Sequence, residues 1–197
     1  GICVKEGSIR LSNSIIRNNS ADGNSGDVNG GGIFINSGER GFIHNVEVYG
    51  NYSSNRGGGI CSNTPLTISN SVIFNNKCSF QANGIYGANL NMQNCVVTQN
   101  GWENNSDPDS YGILAVVMEG NESRIWNSII WGNYGGNGID EFLIVSNGTS
   151  ATIDYSVIEG GIESAFTIPE NVVWGSHNVD QDPQFNNTSN NDFSPNP

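Results

Sequence analysis

Positively charged side chains are scarce in this sequence. Its 197 residues include 7 Lys plus Arg against 19 Asp plus Glu, and the formal net charge is −12. A surface with this charge repels phosphate backbones, so nucleic acid is not expected as a partner. The acidity is explained by solubility alone or, as an alternative, by the binding of divalent cations.

The sequence also lacks membrane-spanning segments and zinc-type cysteine spacings. No apolar run is long enough to cross a bilayer, so no membrane insertion is expected. The cysteines are Cys3, Cys61, Cys78 and Cys95, and no two of them have CxxC or zinc-knuckle spacing. We expect buried or half-buried thiols. A Cys78–Cys95 disulfide stays open as an alternative, and it would require loop 77–83 to fold back.

One short phrase occurs six times: an apolar pair, a polar turn residue, a β-branched run and then Asn or Gly. The phrases occupy 9–19, 41–51, 66–76, 90–100, 123–133 and 151–161. Their turn residues, spaced by 24 to 33 residues, are Asn13, Asn45, Asn70, Asn94, Asn127 and Tyr155. Strand-rich repeats of this length indicate a solenoid. The shortest steps fit one bare coil, and the longer steps fit coils with surface insertions.

Two columns of the aligned repeats are apolar throughout. Two positions before the turn residue the sequence has Leu11, Ile43, Ile68, Met92, Ile125 and Ile153. Three positions after it the sequence has Ile16, Val48, Ile73, Val97, Ile130 and Ile158. Alternation within a strand places such columns on one face. The sequence therefore predicts that each column forms a single interior row.

Asparagine forms a further column, six residues after the turn residue: Asn19, Asn51, Asn76, Asn100 and Asn133. Stacked side-chain amides can hydrogen-bond from coil to coil, and Asn tolerates the left-handed backbone that sharp corners need. We therefore predict Asn ladders. The alternative is that Asn only marks the turns.

A Gly-rich strand precedes most phrases, as in GGIFI at 31–35 and GGICS at 58–62. With the phrases above, these segments resemble the right-handed parallel β-helix repeats of secreted or surface-exposed bacterial proteins, a pectate-lyase-like superfamily. The tail NVDQDPQF at 178–185 is similar to the segment that ends many such domains in Bacteroidetes-like secreted proteins. The resemblance implies an extracellular or cell-surface location.

The predicted fold is all-β, a right-handed single-stranded parallel β-helix of about six rungs, over residues 1–161. Residues 162–197 are expected to form an irregular closing segment of the same domain, because the periodicity fades there. The expected anchors of that segment are Val172, Val173, Trp174 and Phe185. The chain is also expected to be a fragment of a longer protein.

The residue pattern gives little support to catalysis. His44 and His177 stand alone in the sequence, no Ser-His-Asp or Cys-His arrangement is apparent, and no catalytic residue is predicted. Calcium is the one cofactor considered, with Asp107, Asp109 and Asp140 as candidate ligands. The first two lie in the acidic loop 103–110, and the third lies in GGNGIDEFL at 135–143, a single match to a calcium-binding nonapeptide. Solvated loops without any cofactor are the alternative.

The strand after the turn residue is apolar on its outward side as well. The predicted stripe consists of Tyr49, Val72, Phe74, Val96, Ile129 and Trp131. An exposed apolar patch of several hundred Å² usually marks an interface. Three interpretations remain open: the chain's own insertions or tail cover the stripe, another chain or domain packs on it, or its aromatic rings stack on sugars.

These observations give a leading hypothesis and an alternative. The first is a non-catalytic extracellular or cell-surface module that acts as a structural scaffold, an adhesin or a filament building block, with other protein chains or copies of itself as partners. The alternative is a carbohydrate-binding or polysaccharide-cleaving β-helix, with a polysaccharide as its partner. The fold alone does not distinguish the structural module from the carbohydrate-active one, because one fold can support many functions.

Overall fold

The computed structural model describes residues 1–23, 28–102, 115–120, 122–134, 142–144, 150–166 and 172–195. These residues form an all-β solenoid in which successive coils pair through parallel strands. The predicted parallel β-helix is therefore confirmed. Each parallel strand ends at a corner of the coil, and Gly and Asn residues recur at these corners.

The strands are numbered in chain order. The earlier ones are β1 (Ile2–Val4), β2 (Ile9–Arg17), β3 (Ser20–Ala21), β4 (Ile33–Ile35), β5 (Gly41–Tyr49), β6 (Tyr52–Ser53), β7 (Ile60–Ser69), β8 (Val72–Phe74), β9 (Lys77–Cys78), β10 (Ile85–Gln93) and β11 (Val96–Thr98). The later ones are β12 (Val116–Glu119), β13 (Ser123–Trp126), β14 (Ile129–Trp131), β15 (Phe142–Ile144), β16 (Ala151–Asp154), β17 (Val157–Ile158), β18 (Ala165–Phe166), β19 (Val172–Trp174), β20 (Phe185–Asn187) and β21 (Asp192–Pro195). Short 3-10 helices span Gly161–Ser164 and Thr188–Asn190.

The long strands bend around the coil, so the large sheet has three faces. Face A begins with β1 and β4 and continues through the first part of β7, the first part of β10 and then β12 and β15. Face B consists of the first halves of β2 and β5, the second parts of β7 and β10, and β13, β16 and β19. Face C consists of the second halves of β2 and β5 and of β8, β11, β14 and β17.

The two predicted apolar columns are interior rows. On face C, Ile16 pairs with Val48, and the register continues through Ile73, Val97 and Ile130. The last four side chains are fully buried, and Ile16 is partly buried against the same core. The column from Leu11 to Ile153 is stacked in the same way on face B, because its residues are also in register from coil to coil.

Two corners of each coil have a left-handed backbone. The turn residues identified in the sequence have φ between 47° and 54°: Asn13, Asn45, Asn70, Asn94, Asn127 and Tyr155. Five residues later a second corner has φ between 52° and 75°: Asn18, Gly50, Asn75, Gln99, Gly132 and Gly160. Asn and Gly are the residues that adopt this conformation at least cost, which explains why they recur here.

The Asn column six residues after the turn residue forms a buried ladder, here called the interior ladder. Asn19 Nδ2 donates to Asn51 Oδ1 over 2.9 Å, and the same donation continues to Asn76, Asn100 and Asn133. Each acceptor oxygen also receives the backbone N–H of the Asn one coil earlier. The amides therefore satisfy both the side chains and the corner backbone, and the predicted interior ladder is confirmed.

The turn residues form a second ladder on the surface, and it runs in the opposite direction. Asn45 donates to Asn13, Asn94 to Asn70 and Asn127 to Asn94, with distances of 2.7 to 3.0 Å. In this outer ladder the later coil donates to the earlier coil. In the interior ladder the earlier coil donates to the later one.

All four cysteines are free thiols, so the structure contains no Cys78–Cys95 disulfide. Cys3 is exposed and the other three are buried. Burial raises the pKa of Cys61 and Cys78 from 9.0 to about 12 and that of Cys95 to about 11. The buried sulfurs therefore remain neutral at physiological pH.

We expect one of the four thiols to react with a disulfide reagent at pH 8 in the native protein, and all four in denaturant. Thiolates are the reactive species, and burial suppresses them at Cys61, Cys78 and Cys95.

The raised pKa values of these three thiols also predict that stability falls as the pH rises from about 9 towards 11 to 12, because in this range the three thiols ionise only in the unfolded chain. Thiol counting and urea unfolding across this range test both points. Two or more rapidly reacting thiols in the native protein would contradict the burial.

The chain after residue 161 is more regular than its sequence indicates. The strand β19 extends face B, with Val172 paired to Ala151 and Trp174 paired to Ile153. Val172 and Trp174 pack against the core, as expected of anchors. Val173, however, is 64% exposed, because the alternation turns it outward, so it is not an anchor.

The last described segment, residues 181–195, is here called the strap. It contains β20 and β21, which pair with each other as an antiparallel hairpin separate from the large sheet. Phe193 is 4% exposed and is the one buried side chain of the strap. The expected anchor Phe185 is partly buried and meets Phe193 edge-on, with ring centroids 5.6 Å apart.

Candidate functional site

The six residues of the predicted stripe lie on the outer side of face C. Tyr49 is paired with Phe74, and Thr98 connects that row to Trp131 on the next coil. In the neighbouring row, Val72, Val96 and Ile129 are consecutive partners. The parallel register therefore brings together side chains that lie up to 82 residues apart in the sequence.

The strap covers part of this stripe. Phe74 stacks on Tyr49, with ring centroids 4.5 Å apart, and Phe193 packs on Phe74 at 5.0 Å. Phe74 and Thr98 are each 1% exposed, although both point outward from the coil. Of the three interpretations of the stripe, the structure shows the first at Phe74, because the chain's own tail packs there. Val72, Val96, Ile129 and Trp131 remain partly exposed.

The calcium candidates Asp107, Asp109 and Asp140 lie outside the described residues. Within the described part of the chain, no group of three or more His, Cys, Asp or Glu side chains is arranged to hold a metal ion. The calcium hypothesis therefore stays a prediction from the sequence.

An aromatic cluster that the sequence did not indicate lies at the corner between faces B and C. The Tyr155 ring stacks on His177 at 4.1 Å and 7°, and Trp126 meets the Tyr155 ring at 4.9 Å. His177 is not solitary, because its Nδ1 lies 3.2 Å from Asp154 Oδ1. We call Trp126, Asp154, Tyr155 and His177 the corner cluster. Trp126 is 39% exposed and Tyr155 is 47% exposed, so both rings are accessible to a partner.

Asp154 organises the corner cluster. Its Oδ1 accepts the N–H of Tyr155 at 2.9 Å and the N–H of His177 at 3.2 Å. Desolvation favours a higher pKa for Asp154, but these hydrogen bonds and the His177 ring outweigh it and lower the pKa below its usual value. The carboxylate therefore ties the turn around His177 to the coil.

Acid is expected to release this turn. Because the pKa of Asp154 is lowered in the folded state, its contribution is present above about pH 4, the pKa of an unfolded Asp, and is lost as the pH falls through the lower folded value. NMR signals of the Tyr155 and His177 amides, followed from pH 6 to pH 2, should shift together. Asp154→Asn should abolish that transition, whereas Asp182→Asn, in the strap, should retain it. A transition that survives Asp154→Asn would show that another group controls the turn.

The residues after His177 are hydrogen-bonded directly to the coil. Asn178 Oδ1 accepts the N–H of Ser156, and its Nδ2 donates to the Ile153 carbonyl at 2.7 Å. Asp180 Oδ1 accepts the N–H of Gly160 at 2.9 Å. This segment, residues 175–180, is therefore fixed by polar contacts up to the point where the strap begins.

A polar groove lies on the outer side of face B, with a volume of about 580 Å³. Its lining includes Arg40, Thr67, Asn91, Glu122 and Arg124. Arg124 and Trp126 both point outward from β13, two residues apart, so the groove adjoins the corner cluster. This juxtaposition offers guanidinium and amide donors next to an exposed indole ring.

No helix in the described part of the chain has the length and apolar character needed to span a membrane. Comparison of the chain with protein-family models, with curated proteins and with solved structures found no match.

Proposed function

We propose that this chain is a non-catalytic scaffold module that works outside the cell or on its surface, as an adhesin or a filament building block with other protein chains as partners. The observation that carries the proposal is the buried amide ladder from Asn19 to Asn133, which ties successive coils through side chain and backbone. Such a ladder resists separation of the coils and favours a stiff rod.

The state of the nucleophilic groups supports a structural function. The thiols of Cys61, Cys78 and Cys95 are buried, and their raised pKa keeps them protonated. The hydroxyls of Ser71 and Ser128 donate to backbone carbonyls two residues earlier and accept N–H groups from the preceding coil. The two hydroxyls therefore help to hold the coils together, because each uses its proton and one lone pair in these contacts.

The test measures polysaccharide cleavage by the chain and the resistance of the chain to mechanical extension. The full chain is incubated with neutral and uronate-containing polysaccharides, and new reducing ends and unsaturated products are measured. We expect no product above the blank, and we expect the chain held in optical tweezers to resist extension until whole coils separate. Polysaccharide turnover that is lost in His177→Ala would overturn the scaffold function and identify the corner cluster as a catalytic site.

Carbohydrate binding is the second candidate, and the corner cluster favours it. Aromatic rings with exposed faces stack on sugar rings, and the neighbouring groove supplies Arg124 and Asn91 as hydrogen-bond donors. Trp126→Ala should weaken binding to an immobilised glycan array at least about tenfold, which corresponds to about 1.4 kcal/mol. Trp102→Ala is the matched control, because Trp102 is also 39% exposed but lies outside this cluster. Equal binding by both variants would reject the corner cluster as a glycan site.

A further inference from the structure

We infer that two copies of this chain exchange their straps, so that Phe193 of one copy packs on Phe74 of the other. The inference names a partner for the proposed scaffold, and only its biological meaning rests on that function. It is carried by three features of residues 181–195: how they are attached, how their hinge is built and what they cover.

The strap is attached to the coil by apolar packing. Among the described residues, the hydrogen bonds of the strap stay within the segment, as between Asn186 and Ser194 or between the Gln184 N–H and Asp182. Within the part of the chain that the structure describes, the strap has one ring contact with the coil, between Phe193 and Phe74 at 5.0 Å. The preceding segment, residues 175–180, is bonded to the coil by both backbone and side chains. The strap can therefore detach while the coil and segment 175–180 stay intact.

The hinge between these two parts is short and strained. It comprises residues 181–184, in which Pro183 is half-buried and the other residues are exposed. Gln184 has φ of +47°, a left-handed conformation that side chains other than Asn or Gly adopt at a cost. A strained, short hinge favours domain exchange, because an extended hinge releases the strain while the exchanged segment recovers its contacts.

The strap covers an aromatic pair on the outer side of face C. Phe74 is 1% exposed between Tyr49 and Phe193, so a lifted strap uncovers the Tyr49–Phe74 ring pair, and Thr98 lies between this pair and Trp131 in the same row. A second copy carries the group that fits this surface. Reciprocal exchange gives a closed two-fold dimer in which each copy contributes Phe193 to the other.

Charge makes this association dependent on salt. Each copy has a formal net charge of −12, so two copies repel each other at low ionic strength. We expect the dimer fraction to rise when sodium chloride is raised from 50 mM to 500 mM. An association driven by opposite charges would respond in the other direction.

The test measures the mass of the full chain by light scattering after refolding at low and at high protein concentration. We expect monomer at low concentration and a slowly dissociating dimer at high concentration. Removing residues 183–184 should shorten the hinge, keep the strap from reaching its own coil and increase the dimer fraction at least fivefold. Phe193→Ala should abolish the dimer, whereas the matched control Phe80→Ala, outside the strap, should retain it.

The outcomes that overturn the inference are distinct from those that concern the scaffold. A chain that stays monomeric at all concentrations, with or without the hinge deletion, would show that the strap does not exchange. A dimer that persists in Phe193→Ala would show that the contact lies elsewhere. Polysaccharide turnover, by contrast, would remove the scaffold function and leave the mass measurement unaffected.

Discussion

Replacing Asn76 by Ala is expected to lower the free energy of unfolding by roughly 3–6 kcal/mol, since each orphaned buried polar group costs about 1–3 kcal/mol. The Asn76 side chain is fully buried in the middle of the interior ladder. Its oxygen accepts both the N–H and the Nδ2 of Asn51, and its nitrogen donates to the carbonyl of Val48 at 2.8 Å. Ala fits the backbone there but removes these three hydrogen bonds; Asn51 Nδ2 keeps its bond to the Ile16 carbonyl, whereas the Asn51 N–H loses its partner.

The control for Asn76→Ala is Asn94→Gly in the outer ladder. Asn94 is exposed and has φ of 54°, so Gly preserves the left-handed corner while it removes the side chain. Water can replace the lost amide contacts at this position, and we expect a cost below about 1 kcal/mol. Urea unfolding measures both changes, and hydrogen exchange at the Asn51 amide localises the first. Equal costs for the two variants would contradict a special contribution from the buried ladder.

Gly58→Ala is expected to lower stability by about 3 kcal/mol or more, at the upper end of overpacking effects, or to prevent folding. A Cβ on Gly58 would lie 2.3 Å from the Lys77 carbonyl oxygen and 2.5 Å from that of Asn83. Both obstacles are backbone atoms of the adjacent coil, so no rotamer change relieves the contact. The coils would have to separate locally, which would strain the Gly58–Ala82 hydrogen bond of 3.0 Å.

The matched control is Gly87→Ala, on face A of the next coil. Its nearest obstacle is the Leu90 side chain at 3.3 Å, which can move by a few tenths of an ångström. We expect this variant to fold with a cost below about 1 kcal/mol. Thermal unfolding followed by circular dichroism compares the two, and a Gly58→Ala protein as stable as Gly87→Ala would show that the coils are not as closely packed as described.

The interior of the fold could be predicted because its chemistry repeats. Each coil must place an aliphatic residue at the same point, so the row from Val48 to Ile130 is visible as a sequence column. The left-handed corners are visible for the same reason, since few residues other than Asn and Gly tolerate them. Tyr155 occupies such a corner without being a usual left-handed residue, and alignment with its column was needed to place it.

The contacts of the tail could not be predicted because they do not repeat. His177 follows Tyr155 by 22 residues, a shorter step than any between the six phrases, so no column placed it beside Asp154. Phe193 lies 119 residues after Phe74, in a segment without period. The sequence could indicate that an apolar stripe needs a cover, but the choice of Phe193 depends on where the strap turns back along the coil.

The opposed directions of the two amide ladders give a defined polarity to the junctions at which both ladders form. In the interior ladder the earlier coil donates hydrogen bonds to the later coil, and in the outer ladder the later coil donates to the earlier one. A coil inserted with its stacking direction reversed would place donor against donor in both ladders. Duplicating the 25-residue unit that begins at Asn51, in its native orientation, should thus lengthen the rod by one step of about 4.8 Å without disturbing its neighbours.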